Sequence, residues 1–422
     1  MSYTIYKEAP FIIMELPHIA RNSKMERCLM SKSIHHSKTI FKMLTEINIP
    51  QQLSGIAIAH IITILIAIFS VGYRGKTVDF ENHSDCHRTT IGYFLNKGKW
   101  NEDIIESILK QKVIADIYEE AKRTGKPIYV IIDDTIASKT NPSSKAKHPI
   151  EEAYFHFSHL KKKQDYGHQA IAVMLSCNGI TLNYAIAMYD KSVSKIELVN
   201  KIASELPVAP VISYLLCDSW YVCEKLINSF MKKGFYTIGA LKTNRIIFPG
   251  GVKCSIKQLA EVLKDHTASF RIVTVKGRKY NIFRYEGNLK GIDNAVVLIS
   301  FPVGAMSNPK ALRAFISTDV SLSTEEILDF YVERWDIEVF FRACKTKLAF
   351  GRYQIRSAKG IKRFWLLTSL AYFLACSQSQ TFDFSQGFAL ISKAVHSEHI
   401  RFIYEFGKEQ KDIADLFAML AS

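Results

Sequence analysis

Pro127-Ile-Tyr-Val-Ile-Ile-Asp133-Asp134 is the stretch from which the fold class of this chain follows. An apolar run of this length, rich in β-branched residues, reads as a strand covered on both faces. It ends in two adjacent carboxylates. Pro210-Val-Ile-Ser-Tyr-Leu-Leu-Cys217-Asp218 repeats the pattern further along. Helical patterns surround these segments, at 194–205 and from about Tyr221 to Lys233. Strands alternating with helices predict an α/β fold. In open α/β sheets, sites form where strands end, so Asp218 and one of Asp133 and Asp134 are candidates for chemistry.

Outward from this pair, His168–Ser176 and Ile180–Met188 flank Asn178-Gly179, the strongest hairpin signal in the chain. Gly234–Leu241 reads as another strand. The stretch 243–318 is rich in strand signals (Ser269–Val275, Arg278–Tyr285, Ala295–Phe301, Leu312–Ser317) and reads as a β-rich insertion. Ser323-Thr-Glu-Glu326 is a capping box that opens a helix. An apolar helix is expected at 360–376, and helical segments to the C-terminus. Residues 1 to about 120 read as mainly helical. The apolar Ile56–Phe69 run is short for a membrane span and interrupted by His60 and Thr63, so a buried core helix is expected. His87–Trp100 followed by a helix at 102–122 fits either a helix-turn-helix reader or an ordinary helical hairpin.

The expected helix near residue 338 reads Tyr331-Val-Glu-Arg334-Trp-Asp-Ile-Glu338-Val-Phe-Phe-Arg-Ala-Cys-Lys345. On one helix, Tyr331, Arg334, Glu338 and Lys345 fall within an arc of roughly 60°. Trp335, Val339, Val332 and Leu328 line one side of that stripe; Phe330, Phe341, Ile337 and Leu348 line the other. Polar groups in a groove between apolar walls suggest a site, because burying them without partners is costly. Asp, Asp and Glu on strand, strand and helix are oxygen donors suited to Mg²⁺ or Mn²⁺. Two such ions ~3.5–4 Å apart suit phosphodiester chemistry.

Charge points the same way. The 422 residues carry 55 Lys+Arg against 40 Asp+Glu, a formal charge of +15, which favours a polyanionic partner. From Arg342 to Arg363 the sequence has Lys345, Lys347, Arg352, Arg356, Lys359 and Lys362 and no acidic residue. Lys161, Lys162 and Lys163 form a second patch beside His159 and His168. Lys276, Arg278, Lys279 and Arg284, interleaved with Tyr280, Phe283 and Tyr285, form a third. Such runs suit a phosphate backbone. With 48% hydrophobic residues, a large core is expected. The cysteines are scattered without a Cys-x-x-Cys pair, which disfavours a zinc ribbon, and neither a secretory signal nor a Walker-type phosphate loop is present. His156, His159 and His168 lack a fourth ligand at zinc spacing; DNA phosphate contact or core placement is expected of them.

Tyr331-x2-Arg334-x3-Glu338-x6-Lys345 resembles the Y-R-E-K signature of the DDE transposases of bacterial insertion sequences, in the branch that excises through hairpin ends. Ile132-Asp133-Asp134-Thr135 resembles that family's first-Asp motif, and Leu216-Cys217-Asp218-Ser219-Trp220-Tyr221 its second. The resemblance implies a ribonuclease-H-like core, at 123–242 and 319–376, interrupted by the β-rich insertion at 243–318. A helical DNA-binding region at 1–122 and a helical C-terminal region at 377–422 would flank it. Asp134, Asp218 and Glu338 would be the catalytic carboxylates holding two Mg²⁺ or Mn²⁺ ions, Asp134 being preferred over Asp133 because it directly precedes a Thr. Tyr331, Arg334 and Lys345 would contact DNA phosphates at the cleavage point, joined by Arg342, Lys161, Lys162, Lys163 and His168. Trp220 is a candidate platform for a flipped base. The implied partners are double-stranded DNA, as terminal inverted repeats and target, and a second copy of the chain in a synaptic homodimer. The implied setting is the bacterial cytoplasm, at the nucleoid and away from membranes. The implied activity is cut-and-paste transposition by end cleavage, hairpin formation and strand transfer. The alternatives are a metal-dependent nuclease without strand transfer and a non-catalytic DNA-binding derivative.

Overall fold

In the computed structural model, residues 37–409 are described, apart from 82, 84, 85, 146–148, 159 and 160. His159, Cys28 and the outer parts of both terminal regions (1–36 and 410–422) lie outside the described residues. Helices α1 (Lys38–Glu46), α2 (Gly55–Phe69), α3 (Thr77–Glu81), α4 (Arg88–Asn96) and α5 (Glu102–Thr124) precede the first strand. The Ser54 hydroxyl caps α2, whose side chains are buried almost without a break from Ala57 to Phe69. The apolar run is thus a core helix, and no helix of the described residues is long and apolar enough to cross a membrane. Helix α5 lays its Ile105, Leu109, Val113 and Ile117 stripe on the sheet. The pair α4–α5 is thus a helical pair whose second helix buries one stripe and leaves its opposite face exposed.

The apolar run after Pro127 becomes β1 (Tyr129–Ser138), followed by β2 (Tyr154–Ser158), β3 (Lys163–Cys177) and β4 (Ile180–Tyr189). Asn178 and Gly179 join β3 to β4 with φ of 51° and 84°. A left-handed pair is what a two-residue hairpin matched to strand twist requires. Next come α6 (Lys195–Glu205), β5 (Ser213–Cys217), α7 (Glu224–Met231) and β6 (Phe235–Leu241). Strand β1 pairs in parallel with β5 and antiparallel with β3, and β5 pairs in parallel with β6. Covered on both sides, β1 has Val130, Ile131 and Ile132 wholly buried.

The stretch after β6 extends this sheet instead of standing apart from it. It holds β7 (Ile246–Ile247), β8 (Cys254–Ser255), α8 (Ile256–Lys264), β9 (Arg271–Val275), β10 (Arg278–Leu289), β11 (Ile292–Pro302) and β12 (Arg313–Ser317). Strand β12 pairs antiparallel with β6, giving the order β2-β3-β1-β5-β6-β12-β11-β10-β7-β8, with β4 beside β3 and β9 beside β10. Helix α8 went unread within a stretch taken as strands, although Ser255 and Gln258 form a capping box there.

Helices α9 (Thr324–Val332), α10 (Trp335–Thr346), α11 (Ala358–Gln378) and α12 (Phe384–Glu409) complete the chain. The expected capping box at Ser323 and Glu326 opens α9. Helix α11 packs against α2, α4, α5, α12 and β4, so the N- and C-terminal helices share one layer. Glu398 of α12 caps α1, accepting from the Ser37 hydroxyl at 2.6 Å and the Thr39 backbone N–H at 2.9 Å. One apolar cluster runs from Ile40 to Val395 across all of these segments.

Candidate active site

The pleat of β1 sorts its polar residues onto two faces. Ile132 is in register with Cys217 of the parallel neighbour β5. One step on, Asp133 stands beside Asp218, and registered residues of adjacent strands share a face. Asp133 and Thr135 face α10, while Asp134 faces the other way. On the α10 side, Arg334 donates to Asp133 Oδ2 at 2.9 Å and to Glu338 Oε1 at 2.5 Å. Lys345 Nζ donates to the Thr135 hydroxyl at 2.5 Å. Asp133 Oδ1 accepts the Asp134 backbone N–H at 2.8 Å. Asp218 Oδ1 accepts the backbone N–H groups of Trp220 at 2.9 Å and Tyr221 at 3.4 Å, which closes a tight turn after β5.

Asp134 is bound to a different set of groups. Its Oδ1 accepts from Gln169 Nε2 at 2.5 Å, and its Oδ2 from Lys195 Nζ at 2.8 Å and the Tyr221 hydroxyl at 2.9 Å. Against the expectation for Asp134, it is Asp133 that lies on the face of β1 turned to Asp218 and the Glu338 helix. The physical reason is the period of two along a strand, which no pair of adjacent residues escapes.

The expected single helix is two. The backbone N–H groups of Glu333, Arg334 and Asp336 bond to carbonyls three residues back, at 3.1 Å each, so the chain tightens between α9 and α10. One wall of the polar stripe is core, with Ile337, Phe341 and Leu348 buried. On the other flank Trp335 and Val339 are exposed. Tyr331 packs its ring edge-on against Phe315 of β12, with centroids 5.0 Å apart. It lines a cavity of 660 Å³ with Ser219, Leu241, Tyr280 and Phe315, between the second carboxylate turn and the inserted strands.

The electrostatics follow from burial. Loss of solvent pushes the Asp133 carboxyl up to about 6; Arg334 and the Asp134 N–H oppose that rise, and the charges of Asp218 and Asp134 add to it. Burial works against the Arg334 charge, but Tyr331, Asp133 and Glu338 outweigh it and raise its pKa. Burial raises the Tyr331 phenol to about 12, so it remains a donor at neutral pH. Among the described residues, no group of three or more His, Cys, Asp and Glu side chains is gathered as a metal site. The Arg334 guanidinium itself lies between Asp133 and Glu338. The donors are nonetheless hard carboxylate oxygens, the ligand type that Mg²⁺ or Mn²⁺ favours.

The other expected contacts divide. Arg342 is exposed on α10, and Lys161, Lys162 and Lys163 are exposed where β3 begins. Lys161 donates to Asp165 at 2.7 Å and Ser138 at 2.9 Å, and lies near enough to Lys345 to disfavour its charge. Trp220 is 42% exposed, but on the Asp134 flank, with Lys195 Nζ 4.8 Å from its ring. His168 is corrected: it is wholly buried, bonded at 2.8 Å to the Tyr353 hydroxyl and at 2.8 Å to the Glu151 carbonyl, out of reach of any phosphate. Two other cations read as DNA-facing are structural. Arg284 holds the Val320 and Leu322 carbonyls ahead of α9, and Arg363 is buried under α4. Lys195 and Gln169 went unread, since no spacing rule links them to the carboxylates.

A family described as Transposase DDE domain matches residues 124–374, from the end of α5 through most of α11. The chain belongs to the DDE transposases. The match takes in Asp133, Asp134, Asp218 and Glu338 of this transposase, both faces of β1 and the inserted strands. No curated protein matches the transposase.

Proposed function

We propose that this transposase is a cut-and-paste enzyme that cleaves DNA at the element ends, forms hairpins and transfers the freed strands into target DNA. The observation that carries the reading is the register of β1 and β5, which sets Asp133 beside Asp218 while Arg334 ties Asp133 to Glu338. In this reading Asp133, Asp218 and Glu338 hold two divalent cations, and the sheet segment β4-β3-β1-β5-β6 is a ribonuclease-H-like core. Support for that core is the parallel set β1, β5, β6 with β3 antiparallel beside it and carboxylates at the strand ends.

When bound, the cations supply activation of the attacking water or 3′-hydroxyl and stabilise the departing oxygen. The chain's residues supply the rest. Arg334 presents a planar fork suited to a phosphate, and Lys345 a point charge on the same face of β1. Arg342 and the lysines at 161–163 extend the cationic surface along the DNA. The protonated Tyr331 phenol donates to phosphate. With Tyr280 and Phe315 it lines the cavity that receives a flipped base, a role that replaces the one expected of Trp220. Two copies act together, one on each end.

DNA carrying the paired ends that flank the gene, incubated with the transposase and Mg²⁺, tests the reading. Hairpins and joined products are the expected result. Plain cuts would make it a nuclease, and mobility shifts without cleavage a DNA binder. Lys345→Ala and Arg342→Ala should each flatten the slope of log affinity against log salt by about 1. Unchanged slopes in fluorescence-anisotropy titrations would remove these two residues from the DNA surface.

A further inference from the structure

We infer that Asp134 is a positioning residue that fixes the Asp218 turn against β1 through Tyr221 and does not itself hold a cation. This rests on the reading of Asp133, Asp218 and Glu338 as the cation ligands. Three donors from three segments converge on the Asp134 carboxylate: Gln169 of β3, Lys195 at the start of α6, and Tyr221 of the β5–α7 connection. Its charge is already balanced by Lys195, whose side chain is only 14% exposed and lies 4.8 Å and 5.6 Å from the rings of Trp220 and Tyr189. A carboxylate so satisfied has little left to offer a cation on the far side of its own strand.

The path from Asp134 to the cation site is short. The Tyr221 ring is buried. Its hydroxyl is held by Asp134, and its backbone N–H bonds both the Asp218 side chain at 3.4 Å and the Asp218 carbonyl at 3.2 Å. The next residue, Val222, lies over Gly239 of β6, where a Cβ would come within 2.7 Å of Val222 Cγ2. The turn carrying Asp218 is thus pinned on one side by a missing side chain and on the other by the Asp134 carboxylate. Activity loss alone would not distinguish Asp134 from Asp133, because partners that orient metal ligands matter nearly as much as the ligands.

The discriminating experiment titrates Mn²⁺ against the full chain by paramagnetic resonance, with thermal melts alongside, for the parent and for Tyr221→Phe, Asp134→Asn, Asp133→Asn and Asp218→Asn. Tyr221→Phe should melt within about 2–4 °C of the parent and bind Mn²⁺ roughly 10-fold more weakly. Asp134→Asn should weaken binding to a similar degree, whereas Asp133→Asn and Asp218→Asn abolish it. Tyr221→Phe with parental Mn²⁺ binding, or Asp134→Asn as inert as Asp133→Asn, would overturn the inference and leave the site reading standing. Parental binding in both Asp133→Asn and Asp218→Asn would overturn the site reading and the inference with it.

Discussion

Asp133→Asn should lower the rate of end cleavage by about three orders of magnitude, since cation-held carboxylates contribute several kcal/mol to phosphoryl transfer. The substitution keeps the shape and the Oδ1 acceptor that takes the Asp134 N–H. It removes the charge that faces Arg334 and Asp218. Folding should survive, and the sign of the linkage shows why. The folded-state pKa of Asp133 is raised from 3.8 to about 6. Ionising it therefore costs folding free energy as pH rises through that interval, and the cost is fully present at pH 7. Asparagine removes that cost, which is already net of the pairing with Arg334. Single-turnover cleavage with Mg²⁺, beside a thermal melt, measures both effects. A cleavage rate within tenfold of the parent would sink the assignment of Asp133.

Arg363→Ala should destabilise the fold by about 3–5 kcal/mol, the scale for breaking a buried charge pair. Arg363 is 1% exposed, and its guanidinium fills a cradle of backbone carbonyls from Phe94 (3.1 Å), Leu95 (3.2 Å), Gly98 (2.9 Å) and Trp100 (2.8 Å). Its Nη2 also donates to Glu102 Oε2 at 2.7 Å, and the guanidinium lies 4.5 Å from the Trp100 ring centre. Alanine would leave those carbonyls and the Glu102 carboxylate without their donor. Lysine should not restore stability, because three donors on one nitrogen cannot span the positions a planar fork reaches. Urea unfolding measures the change. A loss under about 1 kcal/mol would show that water replaces the guanidinium without cost.

Arg363 also marks a limit of reading charge from a sequence. It closes a run of cations beginning at Arg342, and along that run it alone is buried. Composition gives the sign of a run and not its face. His168 misled for the same reason: a histidine beside three lysines reads as surface until Tyr353 and Glu151 close around it.

Local chemistry determined much by itself. The turn at Asn178 and Gly179 needed left-handed backbone at both residues, and the boxes at Ser194 and Ser323 needed only a hydroxyl and a carboxylate three residues apart. The apolar runs before Asp133 and Asp218 read as interior strands, and the family resemblance was legible in the two carboxylate motifs after them and in the Tyr331–Lys345 spacing. What tertiary structure decided was phase and facing. A strand buried on both sides has no polar face to show which of two adjacent carboxylates points to the site. Only the register with β5 sets Asp133 beside Asp218 and leaves Asp134 to Lys195 and Tyr221. The helix stripe was legible as a spacing, but the tightened turn before α10 and the contact of Arg334 with a strand 201 residues earlier were not. Such a contact depends on where two segments pack, and that is set by the whole core.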